Sequence, residues 1–390
     1  MQNTSIDTAW DYYSPIRIKF GTDCIHHINS YLKIFNVNKI ALIVDKTLME
    51  IGVIDNIEKY IKDYSVGIFS DVEPYPSLEK IENALKFVKD GGYDLVIGIG
   101  GGSTIDTAKI AAVLANKPGI VEDYIFDDKY RANPTKVTNR EITKPGLPFV
   151  AVPTTAGTGS EAAMWSVIWD MPKKTKESLS HHLMFPSLVV IDPSLTLTLP
   201  REILASAGID AFCHAMEAYW SLNESQITLA HSLDAIRLIF SNLEKSYFDN
   251  DIQYRENMCK ASLLAGLALS YAKTNSSHSM GYSLTQYFNV LHGAASAIFL
   301  PALFEFNFDA MGEKAKILSK LLDIKSGLDG KKKIRKMMKN IGLPVRLRDI
   351  GVKKTDFDFI IKKGFIPFRM ADNPRKITKK DLNKIVVETY

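Results

Sequence analysis

The segment DLVIGIGGGSTIDTAK at residues 94–109 constrains the fold more than any other part of the chain. An apolar strand from Asp94 to Ile99 runs into the turn GGGS, and a helix with Ile105 among its apolar residues follows. Glycines let the backbone approach an anion, and the N–H groups and positive dipole end of the helix hold it. The segment therefore predicts a parallel α/β sheet with a phosphate cradle, although a tight turn without a ligand would have the same pattern.

Two other strand ends are expected at the same edge of the sheet. The strand from Lys39 to Asp45 ends in a carboxylate, which in a dinucleotide site binds the adenosine ribose and favours NAD over NADP. Asp45 precedes the glycine turn, whereas the Rossmann fingerprint has its acid about 20 residues later, and Ser103 replaces the third glycine. The topology is therefore expected to be Rossmann-like and not Rossmann proper. A strand at 149–152 opens into the donor-rich run PTTAGTGSE.

Four side chains further along the chain suggest a metal site. Asp210 and His214 lie four residues apart in the helix-forming segment GIDAFCHAMEAYWS, so both leave one face of a helix. His278 and His292 would be about 21 Å apart on an unbroken helix, so they can share an ion only if the chain turns, and 288–290 is the expected turn. One carboxylate and three imidazoles suit Zn²⁺ or Fe²⁺. A single histidine is more often a surface or hydrogen-bonded residue, so spacing alone leaves this a hypothesis.

The distribution of patterns predicts two domains within the 390 residues. Strands alternate with helices in the first half, and helical periodicity takes over after Pro200, over 204–219, 229–243 and 261–272. We expect a Rossmann-like dinucleotide-binding α/β domain with a parallel sheet at 1–197. An all-α metal-binding and substrate domain is expected at 198–390, with the site in the cleft between them.

Composition excludes several other classes of protein. The net charge of +4 is too small to indicate nucleic-acid binding, and the basic run 331–336 is interpreted as a solvated helix face. Three cysteines without motif spacing fit a reducing cytoplasm, and Cys213 is expected to pack rather than bind metal. No apolar run is long enough to span a membrane, and no signal segment is apparent at the N-terminus. We therefore expect a soluble cytoplasmic protein.

Several motifs in order resemble the iron-containing (group III) alcohol dehydrogenase family, which has the dehydroquinate-synthase-like fold. They are GGGSTIDTAK, PTTAGTGSE, IDPSLTLTLP, GIDAFCHAMEAYWS, the two later histidines and NPRKIT. The resemblance implies hydride exchange between NAD, or NADP, and an alcohol/aldehyde pair at Fe²⁺ or Zn²⁺ bound by Asp210, His214, His278 and His292. It implies a homo-oligomer, at least a dimer. It also implies cofactor contacts from Gly101, Gly102, Ser103, Asp106, Thr154, Thr155, Thr158 and, near the nicotinamide ribose, Lys176.

Two positions depart from the family pattern. Tyr282 stands where many members have a histidine suspected of relaying a proton, and Leu291 replaces a common proline before the last metal ligand. A tyrosine hydroxyl could hydrogen-bond the substrate oxygen or line the pocket, but an ordinary pKa near 10 makes it a poor base. We therefore expect the proton to pass through water or a ribose hydroxyl.

A finer resemblance concerns the substrate. The opening WDYYSPIRIKFG, the run WSVIWD at 165–170 and Lys176 followed by Ser178-Leu179 are similar to the phosphonoacetaldehyde reductases, which make 2-hydroxyethylphosphonate. The sequence does not indicate which cationic residues would bind the phosphonate. The alternatives are a general short-chain or diol alcohol dehydrogenase, a dehydroquinate-synthase-type lyase, and an inactive dinucleotide-binding relic.

Overall fold

A computed structural model describes residues 10–125, 140–170 and 175–390. Residues 1–9 lie outside this range. The expectation that the N-terminus has no signal segment concerns these residues in part. The chain forms eight strands in the described residues: β1 Arg17–Phe20, β2 Lys39–Val44, β3 Ser65–Phe69, β4 Leu95–Gly100, β5 Phe149–Pro153, β6 Trp165–Asp170, β7 Thr175–Ser180 and β8 Leu188–Ile191.

Six of these strands form one parallel sheet in the order β1-β8-β5-β4-β2-β3. Without the edge strand β1, the order corresponds to the flavodoxin-like pattern 2-1-3-4-5. The chain leaves β2 toward one edge through β3 and returns to β4 on the other side, so the order reverses between β2 and β4. Ligands of open α/β sheets bind at such a point, outside the carboxyl ends of the strands. The expected Rossmann-like sheet is confirmed.

Helices cover both faces of the sheet. They are α1 Ile28–Leu32, α2 Lys46–Glu50, α3 Val53–Tyr60, α4 Leu78–Gly91 and α5 Gly102–Leu114. Buried strands such as β4, LVIGIG, are apolar along their whole length, as expected for a parallel sheet covered on two sides. The helix α5 is also buried nearly throughout, because it lies between the sheet and the β6–β7 hairpin.

A buried lysine ties α5 to the segment that precedes this hairpin. Lys109 Nζ donates to the backbone oxygens of Ser160 and Ala163 at 2.9 Å and to that of Trp165 at 2.6 Å. Burial lowers the pKa of Lys109 to about 8. Because these carbonyls satisfy its donors, the side chain fixes the position of the hairpin rather than taking part in chemistry.

The chain after β8 is helical, as predicted. It forms α6 Arg201–Trp220, α7 Gln226–Phe248, α8 Ile252–Ala272, α9 Ser276–Phe288, α10 His292–Ala297, α11 Leu300–Asn307, α12 Glu313–Leu322, α13 Gly327–Asn340, α14 Phe357–Gly364 and α15 Lys379–Thr389. The two halves meet closely where Gly159 packs on α8, since a Cβ on Gly159 would lie 2.6 Å from the Cα of Gly266. Among the described residues no helix is both long and apolar enough to cross a bilayer.

Candidate active site

Three side chains from two helices form a compact cluster. Asp210 and His214 come from α6 and His278 from α9, and one potential ligand atom of each lies within 4.8 Å of the others. The Nε2 atom of His278 is 3.3 Å from Asp210 Oδ1, and that of His214 is 3.9 Å from Asp210 Oδ2. The imidazole of His292, at the start of α10, lies beside them with its ring centroid 5.5 Å from that of His278. All four predicted side chains thus converge.

The chain turn that brings the last two histidines together occurs where it was expected. The helix α9 ends at Phe288, and Asn289 adopts a left-handed conformation with φ of 54° before α10 begins at His292. Asparagine tolerates this conformation because its short polar side chain hydrogen-bonds locally. Leu291 has a φ of −53°, which a proline could also adopt. The leucine at this position therefore gives the loop a backbone conformation that the common proline would also allow.

The cluster has the chemistry of a divalent-cation site. Three of its buried atoms have no hydrogen-bond partner of good geometry within the described part of the chain: Asp210 Oδ1, His278 Nε2 and His292 Nδ1. A buried polar atom without a partner is costly, and a bound cation would satisfy the carboxylate oxygen and the imidazole lone pairs. Burial lowers the pKa of His214 to about 4 and that of His292 well below its usual range, so both rings are neutral, as metal ligands must be.

Glu217 supports this cluster and was missed in the sequence. Its Oε2 lies 2.5 Å from Nδ1 of His278, and its Oε1 accepts from the backbone N–H of Ser277 at 2.5 Å. A carboxylate only accepts hydrogen bonds, so Nδ1 carries the proton and Nε2 faces Asp210. Burial would lower the pKa of His278, but without an ion Glu217 and Asp210 raise it to about 10, so a cation binding at Nε2 would have to displace the proton there. The signal was present, because Glu217 follows His214 by three residues and shares its helical face.

The predicted phosphate cradle lies at the reversal point of the sheet. The turn after β4 leads into α5, whose first residue is Gly102, so the N-terminal N–H groups of α5 point toward this edge. A Cβ on Gly102 would lie 2.6 Å from Thr158 Cγ2, and one on Gly101 would lie 3.4 Å from Thr155 Cγ2. The glycine turn and the threonine loop after β5 are therefore in contact, and Ser103 and Thr158 line the same cavity.

Two acids predicted to contact the cofactor have different surroundings. Asp45 lies directly after β2, next to Gly100 at the end of the neighbouring strand β4. It caps α2 by accepting from the backbone N–H of Thr47 at 2.7 Å. Asp106 is buried, and its carboxylate accepts from Ser160 Oγ and from the backbone N–H of Val167. Both oxygens of Asp106 are thus engaged in holding the segment before the hairpin, although the residue borders the cavity.

One cavity of about 320 Å³ extends from the glycine turn to the histidine cluster. The first half of the chain contributes the turn and the β6–β7 hairpin, where Trp169 pairs with Lys176. The second half contributes the metal-site cluster and Tyr282, and the loop after α14 contributes Arg369. The cleft between the halves is therefore continuous from the expected cofactor edge to the expected metal.

Tyr282 stands at the centre of the cavity wall near the cluster. Its ring is stacked on that of His292, with centroids 6.0 Å apart and planes 11° apart. Lys176 Nζ lies 3.9 Å from the ring centroid, and Arg369 Nη1 donates to the tyrosine hydroxyl at 3.2 Å. Burial would raise the pKa of Tyr282, but the positive charges around it, Lys176 foremost, lower it to about 7. The expectation of an ordinary value was wrong for this residue, because no pattern indicated which cations converge on it.

Comparison with known proteins identifies the family. Residues 15–193 match the family model for iron-containing alcohol dehydrogenases, and residues 204–390 match the model for the C-terminal part of the Fe-containing alcohol dehydrogenase family. The chain belongs to the iron-containing alcohol dehydrogenase family. The predicted class, an NAD(P)-dependent, metal-containing alcohol dehydrogenase of the two-domain fold described above, is confirmed.

Similar proteins differ in the substrates that their names give. This dehydrogenase is 33% identical over 380 residues to long-chain-alcohol dehydrogenase 1 of Geobacillus thermodenitrificans, covering 94% of this chain and 93% of the relative. A crystal structure of sulfoacetaldehyde reductase from Bifidobacterium kashiwanohense in complex with NAD⁺ is similar with a TM-score of 0.90 and 26% identity, covering 98% of both chains. A crystal structure of a 1,3-propanediol oxidoreductase has a TM-score of 0.89 and 31% identity, covering 98% of this chain and 100% of the other.

Proposed function

We propose that this dehydrogenase reduces phosphonoacetaldehyde to 2-hydroxyethylphosphonate with NADH. The observation that carries the proposal is the wall of the cavity beside the histidine cluster, which holds the cations Lys176 and Arg369. A short aldehyde could direct its carbonyl oxygen toward the cluster and its anionic group toward these cations. A neutral substrate would gain nothing from these two half-buried cations, whereas an anionic group would form charge-assisted hydrogen bonds with them.

The roles of the residues follow from their positions. We propose that Asp210, His214, His278 and His292 hold the divalent ion, with Glu217 orienting His278. The turn Gly101 to Ser103 and the α5 N-terminus would hold the pyrophosphate, bordered by Thr154, Thr155 and Thr158. Asp45, at the reversal point of the sheet, would bind the adenosine ribose, and Lys176 would lie near the nicotinamide ribose. Asp106 would act by fixing the wall of the site.

The chemistry needs both bound groups. The ion supplies Lewis acidity toward the aldehyde oxygen, and the reduced nicotinamide supplies the hydride. The chain would hold these groups at the two ends of one cavity, and Trp169, whose ring packs edge-on against His292 at 6.0 Å, would shield the space between them. The Tyr282 hydroxyl borders the same space, where it could donate a hydrogen bond to the substrate oxygen.

The comparisons support the proposal at a coarser level. By its name, the sulfoacetaldehyde reductase acts on an aldehyde with a sulfonate group. A sulfonate, like a phosphonate, is a tetrahedral anion with three oxygens. The 1,3-propanediol enzymes support a general short-chain or diol alcohol dehydrogenase to the same degree, so this remains the second candidate.

An NADH-oxidation assay tests the proposal. The purified enzyme, loaded separately with Fe²⁺ and Zn²⁺, is assayed with phosphonoacetaldehyde, sulfoacetaldehyde, propanal, lactaldehyde and 3-hydroxypropanal, and with NADH against NADPH. We expect the highest kcat/KM with phosphonoacetaldehyde, and a preference for NADH because Asp45 repels a 2′-phosphate. Higher kcat/KM with the neutral aldehydes would favour the alcohol dehydrogenase alternative and contradict the proposal. Binding of NADH without any NADH consumption would favour the inactive dinucleotide-binding relic. Product formation that needs bound NAD but leaves its total amount unchanged would favour the dehydroquinate-synthase-type lyase.

We also propose a cytoplasmic homo-oligomer, at least a dimer. Three unpaired cysteines fit a reducing compartment. Strand β1 is at one edge of the sheet and pairs only with β8 among the described strands, and edge strands are frequently covered by another chain. Light scattering of the purified protein would test this, and a monomer mass at micromolar concentration would contradict it.

A further inference from the structure

The wall of the cavity opposite the glycine turn carries a group of three side chains that we name the Tyr282 cluster: Lys176, Tyr282 and Arg369. They come from three separate parts of the fold, the β6–β7 hairpin, α9 and the loop after α14. Tyr282 follows His278 by four residues, so it lies one helical turn beyond a metal-site residue on the same face of α9. The cluster is therefore adjacent to the place where the substrate carbonyl must lie.

Tyr282 holds the guanidinium of Arg369 against this site. The Arg369 Nη1 donates to the tyrosine hydroxyl at 3.2 Å, and the guanidinium carbon is 5.3 Å from the ring centroid. A guanidinium carries five N–H donors in a planar fork that fits the oxygens of a phosphonate or sulfonate. Bonds between such a charged donor and an oxyanion are about twice as strong as neutral ones.

The charges around the cluster favour an anionic ligand. The charged residues that line the cavity are the cations Lys176, Arg369 and Lys273 and the carboxylates of Asp210, Asp106 and Asp372. A divalent cation would compensate the charge of Asp210, and Asp106 lies 3.7 Å from the buried ammonium of Lys109. Lys273 and Asp372, which also line the cavity, offset each other, so with the ion bound the positive charge of Lys176 and Arg369 remains next to Tyr282, where an anionic substrate would neutralise it.

We propose that Arg369, oriented by the Tyr282 hydroxyl, binds the anionic group of the substrate and selects aldehydes with a tetrahedral oxyanion on the adjacent carbon. This inference rests on the proposed function and deepens it, because it assigns substrate selection to a residue outside the metal site and the cofactor turn. A phosphonate and a sulfonate both present a tetrahedral anionic group to the guanidinium, so aldehydes with either group are tested. Lys176 contributes further positive potential, since its ammonium lies 3.9 Å from the centroid of the Tyr282 ring and 5.1 Å from that of Trp169.

The test compares charged and neutral substrates of one shape. Phosphonoacetaldehyde and sulfoacetaldehyde are assayed beside 3,3-dimethylbutanal, whose tert-butyl group has the same tetrahedral shape without charge. The variants are Arg369→Gln, Arg369→Lys and the matched control Arg375→Gln. Arg375 lies in the same loop, but its guanidinium stacks on Phe306 at 4.1 Å, away from the cavity lining.

We expect Arg369→Gln to lower kcat/KM for the preferred anionic aldehyde by about 10- to 100-fold, chiefly through KM, because a charge-assisted bond is lost. Arg369→Lys should retain part of the activity. Turnover of 3,3-dimethylbutanal by Arg369→Gln should fall by a much smaller factor than turnover of the anionic aldehyde, and all activities of Arg375→Gln should stay within about twofold. Titration calorimetry of holoenzyme with 2-hydroxyethylphosphonate should give a similar loss of affinity in Arg369→Gln, which is a readout independent of turnover.

The outcomes separate this inference from the proposed function. Turnover of phosphonoacetaldehyde with no dependence on Arg369, or equal losses on 3,3-dimethylbutanal, would overturn the inference and leave the function. Turnover of sulfoacetaldehyde alone, with the expected dependence on Arg369, would support the inference and overturn the proposed substrate. Activity only on neutral aldehydes would overturn both.

Discussion

Glu217 decides which nitrogen of His278 faces the metal site. Its carboxylate is fully buried and accepts from His278 and from the backbone of Ser277, so it cannot turn toward another partner without leaving both unsatisfied. Carboxylates that accept from a metal-bound imidazole fix its tautomer and raise its basicity. The site therefore depends on a residue that need not touch the ion itself.

Replacing Glu217 by Gln should weaken metal binding while keeping the volume of the side chain. We expect the Kd for Zn²⁺ to rise about 10- to 100-fold, since an amide is a weaker acceptor for the His278 N–H. Competition with a chromophoric chelator measures this on purified protein, with Glu244→Gln on α7, a half-buried acid outside the cavity lining, as the control. An unchanged Kd in Glu217→Gln would show that Glu217 is only a packing residue.

Local spacing explains which site residues could be predicted. The pair Asp210 and His214 followed from a four-residue interval on one helix, and Glu217 could have been found by the same rule. Arg369 could not, because 87 residues separate it from Tyr282 and only the packing of α14 against α9 brings them together. Family resemblance indicated Lys176, but the cation neighbours that lower the pKa of Tyr282 came only from tertiary structure.

Among the elements, those with strong apolar patterns were predicted best. The strand expected from Asp94 to Ile99 is observed as Leu95–Gly100, and the three predicted helices are found within α6, α7 and α8. The helices α7 and α8 begin at Gln226 and Ile252, earlier than their apolar patterns, because Ser225 and Asp251 cap them there and the residues that follow the Asp251 cap are mostly polar up to Lys260. The β6–β7 hairpin was not predicted, since β7 has the polar sequence TKESLS without apolar alternation.

The close contact between the glycine turn and the threonine loop predicts that added volume at this turn weakens NADH binding. The variant Gly102→Ala would bring a Cβ to 2.6 Å from Thr158 Cγ2 and push the start of α5 away from the loop. We expect the Kd for NADH, measured by fluorescence titration, to rise on the order of tenfold, because overpacking at a tight contact is costly. The double variant with Thr158→Gly removes all three close contacts, which involve Cγ2, Oγ1 and Cβ of Thr158, and should recover part of the affinity. An unchanged NADH affinity in Gly102→Ala would argue against cofactor binding at this turn.

At the scale of the whole molecule, the two functional groups of residues come from different halves of the chain. The sheet half contributes the glycine turn, the threonine loop and the hairpin, whereas Asp210, His214, His278 and His292 all belong to helices after Pro200. The predicted α/β and all-α halves are confirmed. The limit near 197 stays a prediction, although β8 ends at Ile191 and α6 begins at Arg201 on either side of it.

The placement of all four metal-site side chains on α6, α9 and α10 has a consequence for amide exchange. A ligand stabilises the parts of a protein whose opening would release it, so removing the ion with a chelator should speed deuterium uptake in these three helices. Strands β2, β4 and β5 should keep their protection, because no ligand residue comes from the sheet. Mass-spectrometric exchange before and after chelation would measure this, and equal acceleration in the sheet would mean that the halves open as one unit. A protein prepared without its ion would then keep a rigid nucleotide platform beside a loosened catalytic half.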